Sequence, residues 1–574
     1  MKRRKFLRKI PLMASAPFAL SGVPINLIAK NNYFQQMAMN STNDRVLVIL
    51  QLHGGNDGLN TIIPVEQYDQ YYSRRANIAI PAANSVRRYI PLDQTLPFAN
   101  QVGLHPDMIG VKELYDKGKM AIVQGVSYKN NNGSHFRGRD IWNMGGGVDD
   151  FYSSGWVGRY LQNQFAPQVY PDDFPNADTP DPLAIELGSD VSLVFHQQGN
   201  IPTSISLGGD PESFANLVNN LDGFVDEGID PRGRPPQYLE DSPYWKEMNW
   251  ILGLEDKSED YAGRLLEVFQ NAPVTGVTYP ETYPFNAPQG SLRNRLTPQL
   301  QLIARLLHGG APGQGVGTKV FLVRVGGFDT HAGQVEGFDP TMGVHAALLY
   351  HISSAMKAFQ EDLKERGIED RVLTVTTSEF GRRIGSNGSF GTDHGTGGPM
   401  LIFGKGANPG VYGTNPDMNQ NNVGMQFDYR QIYASILEDW MQVDRSIITN
   451  DIFFGDYIEG PNESGGVYEK VPVAQSVITG VEDFITQRFH LKDCYPNPAK
   501  DMTRFGFYLN TKTEVQIKLF DVNGKEVLNI LKEEKQPGEH WIDLDVSEIK
   551  KGIYIYQIEA GLLKDSKKLI VTSN

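Results

Sequence analysis

The chain has 574 residues, a formal net charge of −14 and one cysteine, Cys494. That length exceeds a single small domain and allows a large core. The acidic balance, with no dense basic stripe in the body, excludes a general nucleic-acid binder, and the lone cysteine excludes a disulfide framework or a cysteine-rich metal site.

The first residues, Met1 to Lys9, are basic, and the apolar stretch from Ile10 to Leu27 is broken by Pro11, Pro17 and Pro24. It is too short and interrupted to span a membrane, so the mature protein is expected to have no transmembrane span. Arg3-Arg4-Lys5-Phe6-Leu7 resembles a twin-arginine export signal; an ordinary secretory signal with a basic start is the alternative. Residues 1–40 are therefore read as signal and linker, outside the fold.

The body opens with a near-continuous apolar run, Val46 to Leu52, which predicts a strand covered on both faces. It runs into His53-Gly54-Gly55-Asn56-Asp57-Gly58, where Asp57 is either a metal ligand at a strand end or part of a left-handed turn. A helix is predicted from Pro106 to Lys117 and a strand from Lys119 to Val123. Ser134 then precedes a helical segment in Ser134-His135-Phe136-Arg137-Gly138-Arg139, placed as an N-cap or as a nucleophile beside free amides. Arg137 and Arg139 could grip phosphate or sulfate oxygens. Residues 166–297 are mixed in pattern and read as an inserted cover region, with strand-like pieces at Leu183 to Leu187 and Val191 to Phe195.

Regular alternation resumes with a helix from Pro298 to His308, a strand from Lys319 to Val325 that leads into Gly327-Phe328-Asp329-Thr330-His331, and an amphipathic helix from Thr341 to Arg366. His345 and His351 lie in that helix and read as structural. Val372 to Thr377 is a strand followed by Ser378, Glu379 and Arg382; Asp393-His394 comes just before a further strand, Pro399 to Phe403. On their own, Glu379 could cap a turn and His394 pack against the loop glycines. The alternation predicts an α/β fold, doubly wound around a mainly parallel sheet, whose carboxyl ends could bring Asp57, Asp329, His331, Glu379, Asp393 and His394 together. Clustering so many acids with two histidines favours a divalent metal: zinc, with calcium or manganese as alternatives, as one or two ions.

These segments carry a resemblance. From 44 to 460 the chain resembles the DUF1501 family, through Leu52 to Gly58, Ser134 to Arg137, Gly326 to His331, Thr377 to Arg382 and Asp393-His394-Gly395. That family is similar in fold to the alkaline phosphatase and sulfatase superfamily. The resemblance implies metals around a nucleophile at a helix N-terminus: Ser134 as nucleophile, with Asp57, Asp329, His331, Glu379 and His394 as ligands; the mechanism expected on that basis has Arg137 or Arg382 holding the equatorial oxygens. Glu379-Phe380 stands where the superfamily usually has Asp-His, which removes one imidazole. A formylglycine sulfatase is disfavoured because Phe136 occupies the proline place of that signature.

Residues 461–492 read as a linker. From 493 to 574, Tyr495-Pro496-Asn497-Pro498 leads into period-two strands at Thr503 to Leu509, Glu514 to Phe520, His540 to Leu544, Ile553 to Ile558 and Lys568 to Val571, a small all-β sandwich. It resembles the type A sorting domain of the type IX secretion system of Bacteroidetes; a carbohydrate-binding sandwich is the alternative. The expectation is a secreted or cell-surface hydrolase, exported through the periplasm by that machinery. It would act on small-molecule or glycan-linked phosphate or sulfate esters with Ser134 or a metal-activated water. The rival is a non-catalytic surface protein that binds a glycan or a partner.

Overall fold

A computed structural model describes residues 44–219, 242–476 and 494–572, apart from Asn84, Pro312, 463–464, 510–512, 522–524, 537 and 561–562, with short strand pieces at 19–20, 23–24 and 489–491. The expected signal at 1–40 lies outside the described residues except for those two pieces. The chain divides into a body, residues 43–476, and a second unit that contains residues 477–574.

The body is built on one sheet: β1 (Val46–His53), β2 (Met120–Ser127), β3 (Ala184–Leu187), β4 (Ser204–Leu207), β5 (Val320–Gly326), β6 (Val372–Thr377), β7 (Gly398–Phe403), β8 (Gly410–Tyr412) and β9 (Phe427–Asp428). The spatial order is β4-β3-β5-β1-β6-β7-β2-β8, with β9 also on β2. Every pairing is parallel except those of β7, which runs antiparallel to β6 and β2. Part of the region expected as an inserted cover, 166–297, in fact supplies the edge strands β3 and β4. Within it, the expected strand at 191–195 is a short helical turn, Leu193–Phe195.

The apolar runs are explained by the two layers that cover the sheet. Along β1, Val46, Val48, Leu50 and Leu52 join one core, and the alternate Leu47 and Ile49 join the other. The first core is closed by α1 (Ile109–Asp116), α4 (Leu296–His308) and α5 (Val344–Glu365), through residues such as Val111, Ile303, Met356 and Phe359. The second is closed by α2 (His135–Met144), α3 (Trp156–Phe165) and α6 (Tyr429–Asp439), through Ile141, Trp156, Tyr160 and Ile436. Burying each such side chain contributes roughly 1.5–3 kcal/mol, so a strand apolar at every position is stable only between two helical layers. The doubly wound α/β arrangement is therefore present, with β7 as its one reversed strand.

The second unit is all-antiparallel. One sheet runs β10 (Phe489–Leu491), β11 (Met502–Leu509), β14 (Gly538–Asp545); the other runs β13 (Glu526–Lys535), β12 (Thr513–Asp521), β15 (Gly552–Ala560), β16 (Leu563–Val571). Phe505 and Phe507 from the first meet Val515, Ile517, Leu519, Tyr556 and Ile558 from the second in one core, to which the buried Cys494 is added. The sequence pattern missed β13 because its side chains are mostly exposed and carry no alternation.

Candidate metal centre

Three parallel strands deliver their ends to one edge of the body. His53 closes β1, Gly326 closes β5 ahead of Asp329 and His331, and Thr377 closes β6 ahead of Glu379. Because β7 is reversed, the residues before it, Asp393 and His394, arrive at this same edge. The chain leaving β2 reaches Ser134, which caps α2 by accepting a hydrogen bond from the Arg137 amide at 3.4 Å. The first residue of that helix, His135, turns toward the edge.

Ligand atoms of His135, Asp329 and His394 all lie within 4.8 Å of one another. Asp329 Oδ2 is 3.4 Å from His135 Nε2, and its Oδ1 is 3.3 Å from the Nε2 atoms of both His394 and His331. His331 Nε2 is 2.8 Å from His394 Nε2. The tautomers follow from the partners. His394 Nδ1–H donates to the Gly133 carbonyl at 2.7 Å, and His135 Nδ1–H donates to Glu379 Oε1 at 3.1 Å. Each ring is thereby left with its Nε2 lone pair facing the cluster, which is how a carboxylate or carbonyl behind a histidine prepares it for a metal.

The charge states suit that role. Burial pushes the Asp329 carboxyl up, but the hydrogen bond and charge of Arg382 outweigh it and hold the group below the usual carboxylate range. Burial also pushes His394 below its ordinary value, more than its contacts with Gly133 and Asp329 restore. At neutral pH the site thus offers an ionised carboxylate and a neutral imidazole, the forms that bind a metal. Glu379 adds a further sign. Its Oε1 accepts from the Gly54 amide at 2.8 Å and from His135, whereas its buried Oε2 has no hydrogen-bond partner among the described residues. A donor set of imidazoles and a carboxylate, backed by a half-satisfied buried carboxylate, fits a divalent ion of the zinc type better than calcium, which prefers oxygen alone.

Not every residue expected here reaches the cluster. Asp57 is buried and set apart: both its oxygens take Arg75 Nη1, at 2.8 and 3.0 Å, and Gln334 Nε2 donates to it at 2.6 Å. A guanidinium already neutralises that carboxylate, so it contributes to the frame of the loop. Arg382 is fully buried and spends its fork on the backbone, donating to Gly55 O at 2.7 Å, Thr392 O and Phe328 O at 3.0 Å, to Gly54 O, and to Asp329 Oδ1 at 2.7 Å. Arg137 is spent likewise, on the carbonyls of Val148 at 2.7 Å and Asp150 at 2.5 Å. Neither guanidinium is directed at a substrate. Asp393 stands half-exposed behind His331, 3.6 Å from its Nδ1, and Glu379 reaches the set through His135. Phe380 packs its ring 4.4 Å from that of His394 and 4.8 Å from that of His135, an apolar wall where a further imidazole was missing.

Sequence reasoning passed over His135 as a ligand, although it lies inside the quoted Ser134 to Arg137 segment; it follows no strand, and only the packing of α2 turns it inward. The loops come together at such short range because of Gly54. At φ +124°, a Cβ on it would lie 2.3 Å from the Asp329 amide nitrogen, so only glycine lets these strand ends touch.

The family comparison reads the same region. Residues 303–451 match DUF1501, a protein family of unknown function. The DUF1501 match contains Asp329, His331, Glu379, Arg382, Asp393 and His394, and leaves out Asp57, Ser134 and His135. Residues 493–572 match the secretion system C-terminal sorting domain, which indicates secretion or cell-surface export by the type IX route. No helix among the described residues is long and apolar enough to cross a membrane. No curated protein matches the chain.

Among solved structures, latent PorU from Porphyromonas gingivalis is 18% identical over 15% of this chain and 10% of its own, with a TM-score of 0.14. An alkaline phosphatase superfamily protein from Vibrio parahaemolyticus is 11% identical over 82% of this chain and 76% of its own, with a TM-score of 0.27. The PsFucS1 sulfatase from Pseudoalteromonas sp. is 11% identical over 90% of this chain and 88% of its own, with a TM-score of 0.30. The chain spans 10 to 44% of the length of the first three solved structures that it matches. At such scores the site has to be argued from its own residues.

Proposed function

We propose that this exported protein is a metal-dependent hydrolase of phosphate or sulfate esters. The observation that carries the reading is the convergence of His135, Asp329 and His394 at the carboxyl edge of the sheet, each imidazole tethered through Nδ1 so that Nε2 faces inward. His135, Asp329 and His394 would hold the ion, with His331 beside them. A divalent ion held there would polarise an ester oxygen and lower the pKa of a neighbouring hydroxyl or water.

The chain's own groups supply the rest. Ser134 stands between Gly133, whose carbonyl fixes His394, and His135, and it offers a hydroxyl at the N-terminus of α2, where developing negative charge is favoured. Glu379 orients His135 and Arg382 holds Asp329 ionised, so neither acid has to move during turnover. Phe380 closes one side against water.

The test is elemental analysis of protein purified without chelator or a histidine-rich tag, beside Asp329→Asn and His394→Ala, followed by assay on p-nitrophenyl phosphate and p-nitrophenyl sulfate. Stoichiometric metal in the wild type, at least tenfold weaker in both variants, with hydrolysis lost in parallel, is expected. Wild type that stays metal-free after incubation with zinc, manganese and calcium overturns the proposal. Phe380 supports the non-catalytic alternative, because an apolar ring leaves room for fewer ligands; on that reading the protein binds a glycan or a partner at the cell surface.

A further inference from the structure

The hydrolase reading needs a cation to hold the substrate's non-bridging oxygens, and both arginines expected for this are spent on backbone carbonyls. Arg139 is different. It follows His135 by four residues on α2, so the two side chains leave the same face of the helix. His135 uses that face to reach Glu379 and Asp329, which places Arg139 along the same wall, one turn further in.

Among the described residues the guanidinium of Arg139 makes one hydrogen bond, from Nη1 to His53 Nε2 at 3.1 Å. Arginine is always protonated, so His53 is the acceptor and its proton resides on Nδ1. Among the described residues no carboxylate lies within ion-pair distance of Arg139; its other close neighbour is the ring of Phe136, 5.6 Å away and 75% exposed at its side chain's residue. Among the described residues four of its five donors have no partner. Those donors form a fork that matches two oxygens of a tetrahedral anion. The helix that carries it is fixed closely against the site: a Cβ on Gly138 would lie 2.9 Å from the Glu379 carbonyl. His53, the last residue of β1, holds Arg139 from the sheet side.

We propose that Arg139 is the residue that binds the phosphate or sulfate group of the substrate, with His53 as its positioning residue. The inference rests on the hydrolase reading for the identity of the anion, but not for the existence of the anion site. Titration calorimetry on the full chain, with inorganic phosphate and inorganic sulfate as separate probes, tests it against Arg139→Ala, Arg139→Lys and His53→Gln, with metal content and melting temperature measured on each.

Arg139→Ala is expected to weaken binding at least tenfold with metal content unchanged, Arg139→Lys to recover part of it, and His53→Gln to weaken it several-fold. The stronger of the two probes identifies the ester class. Equal affinity in wild type and Arg139→Ala, or no binding of either anion by the wild type, overturns the proposal. Should Arg139→Ala fold poorly, a folded Arg139→Lys that binds as the wild type does overturns it as well. An Arg139-dependent anion site in a protein that takes up no metal would uphold this inference while removing the metal reading.

Discussion

At the residue scale, two buried arginines set the geometry of the edge. Arg382 ties the loops after β1, β5 and β6 together through carbonyls of Gly54, Gly55, Phe328 and Thr392, and it anchors Asp329. Arg75 does the same for Asp57 and for the carbonyls of Ile384 and Arg383, at 2.9 and 2.8 Å. Removing either leaves buried acceptors without donors, and in the second case a buried carboxylate without its cation. Arg75→Ala is therefore expected to cost about 3–5 kcal/mol in urea unfolding, and Arg382→Ala a comparable amount together with metal affinity, since Asp329 loses its anchor. Arg382→Lys should not restore either, because an ammonium cannot reproduce a fork that spans several carbonyls. Unchanged midpoints in both alanine variants would refute the framing role.

At the element scale, α2 decides what the site can do. Its cap, Ser134, its first residue, His135, and the next residue on that face, Arg139, all belong to one ten-residue helix. Cap and nucleophile make different predictions for Ser134→Ala. Loss of the cap alone costs about 1 kcal/mol of stability. Loss of a nucleophile lowers turnover by roughly a thousandfold or more while metal content and substrate binding persist. The expected outcome is both effects together, read by thermal melting and by hydrolysis of p-nitrophenyl phosphate at saturating substrate. A melting shift with turnover intact would leave Ser134 as a cap and transfer the attack to a water. The reversed strand β7 is the second decisive element: had it run parallel, Asp393 and His394 would lie at the opposite edge of the sheet, away from Asp329.

At the scale of the whole molecule, acid stability is governed by histidines buried in the body. Burial pushes His345 down to about 4, against the opposing pull of Asp57, and burial also takes His105 well below its ordinary value. The unfolded chain binds these protons near pH 6.5 while the folded one refuses them, so stability is complete above that pH and is lost as the pH falls toward 4. His345 alone accounts for a loss of order 3 kcal/mol. Below about pH 4 Asp57 adds to it: burial raises this carboxyl, but Arg75, His345 and Gln334 together hold it below the usual range, and protonation breaks the pair. Urea midpoints of chelator-treated protein at pH 7, 5.5 and 4.5 should fall steadily, less so in His345→Gln; a flat profile would refute the assignment. The sequence determined a good deal by itself. The strand at Val46 to Leu52, the helix at Pro298 to His308, the strand at Val372 to Thr377, the mainly parallel α/β class and the sorting tail were legible, because they rest on local periodicity and on contiguous motifs. Asp329, His331, Glu379, Asp393 and His394 were legible as a group, because residues at strand ends share an edge. The tertiary structure alone decided that β7 is reversed, that Asp57, Arg137 and Arg382 are spent on framing contacts, that His135 joins the cluster and that Arg139 meets His53. The physical reason is that a charged side chain's role depends on which partner lies within hydrogen-bond reach, and Arg75, Gln334, Glu379 and His53 come from segments far away in the chain.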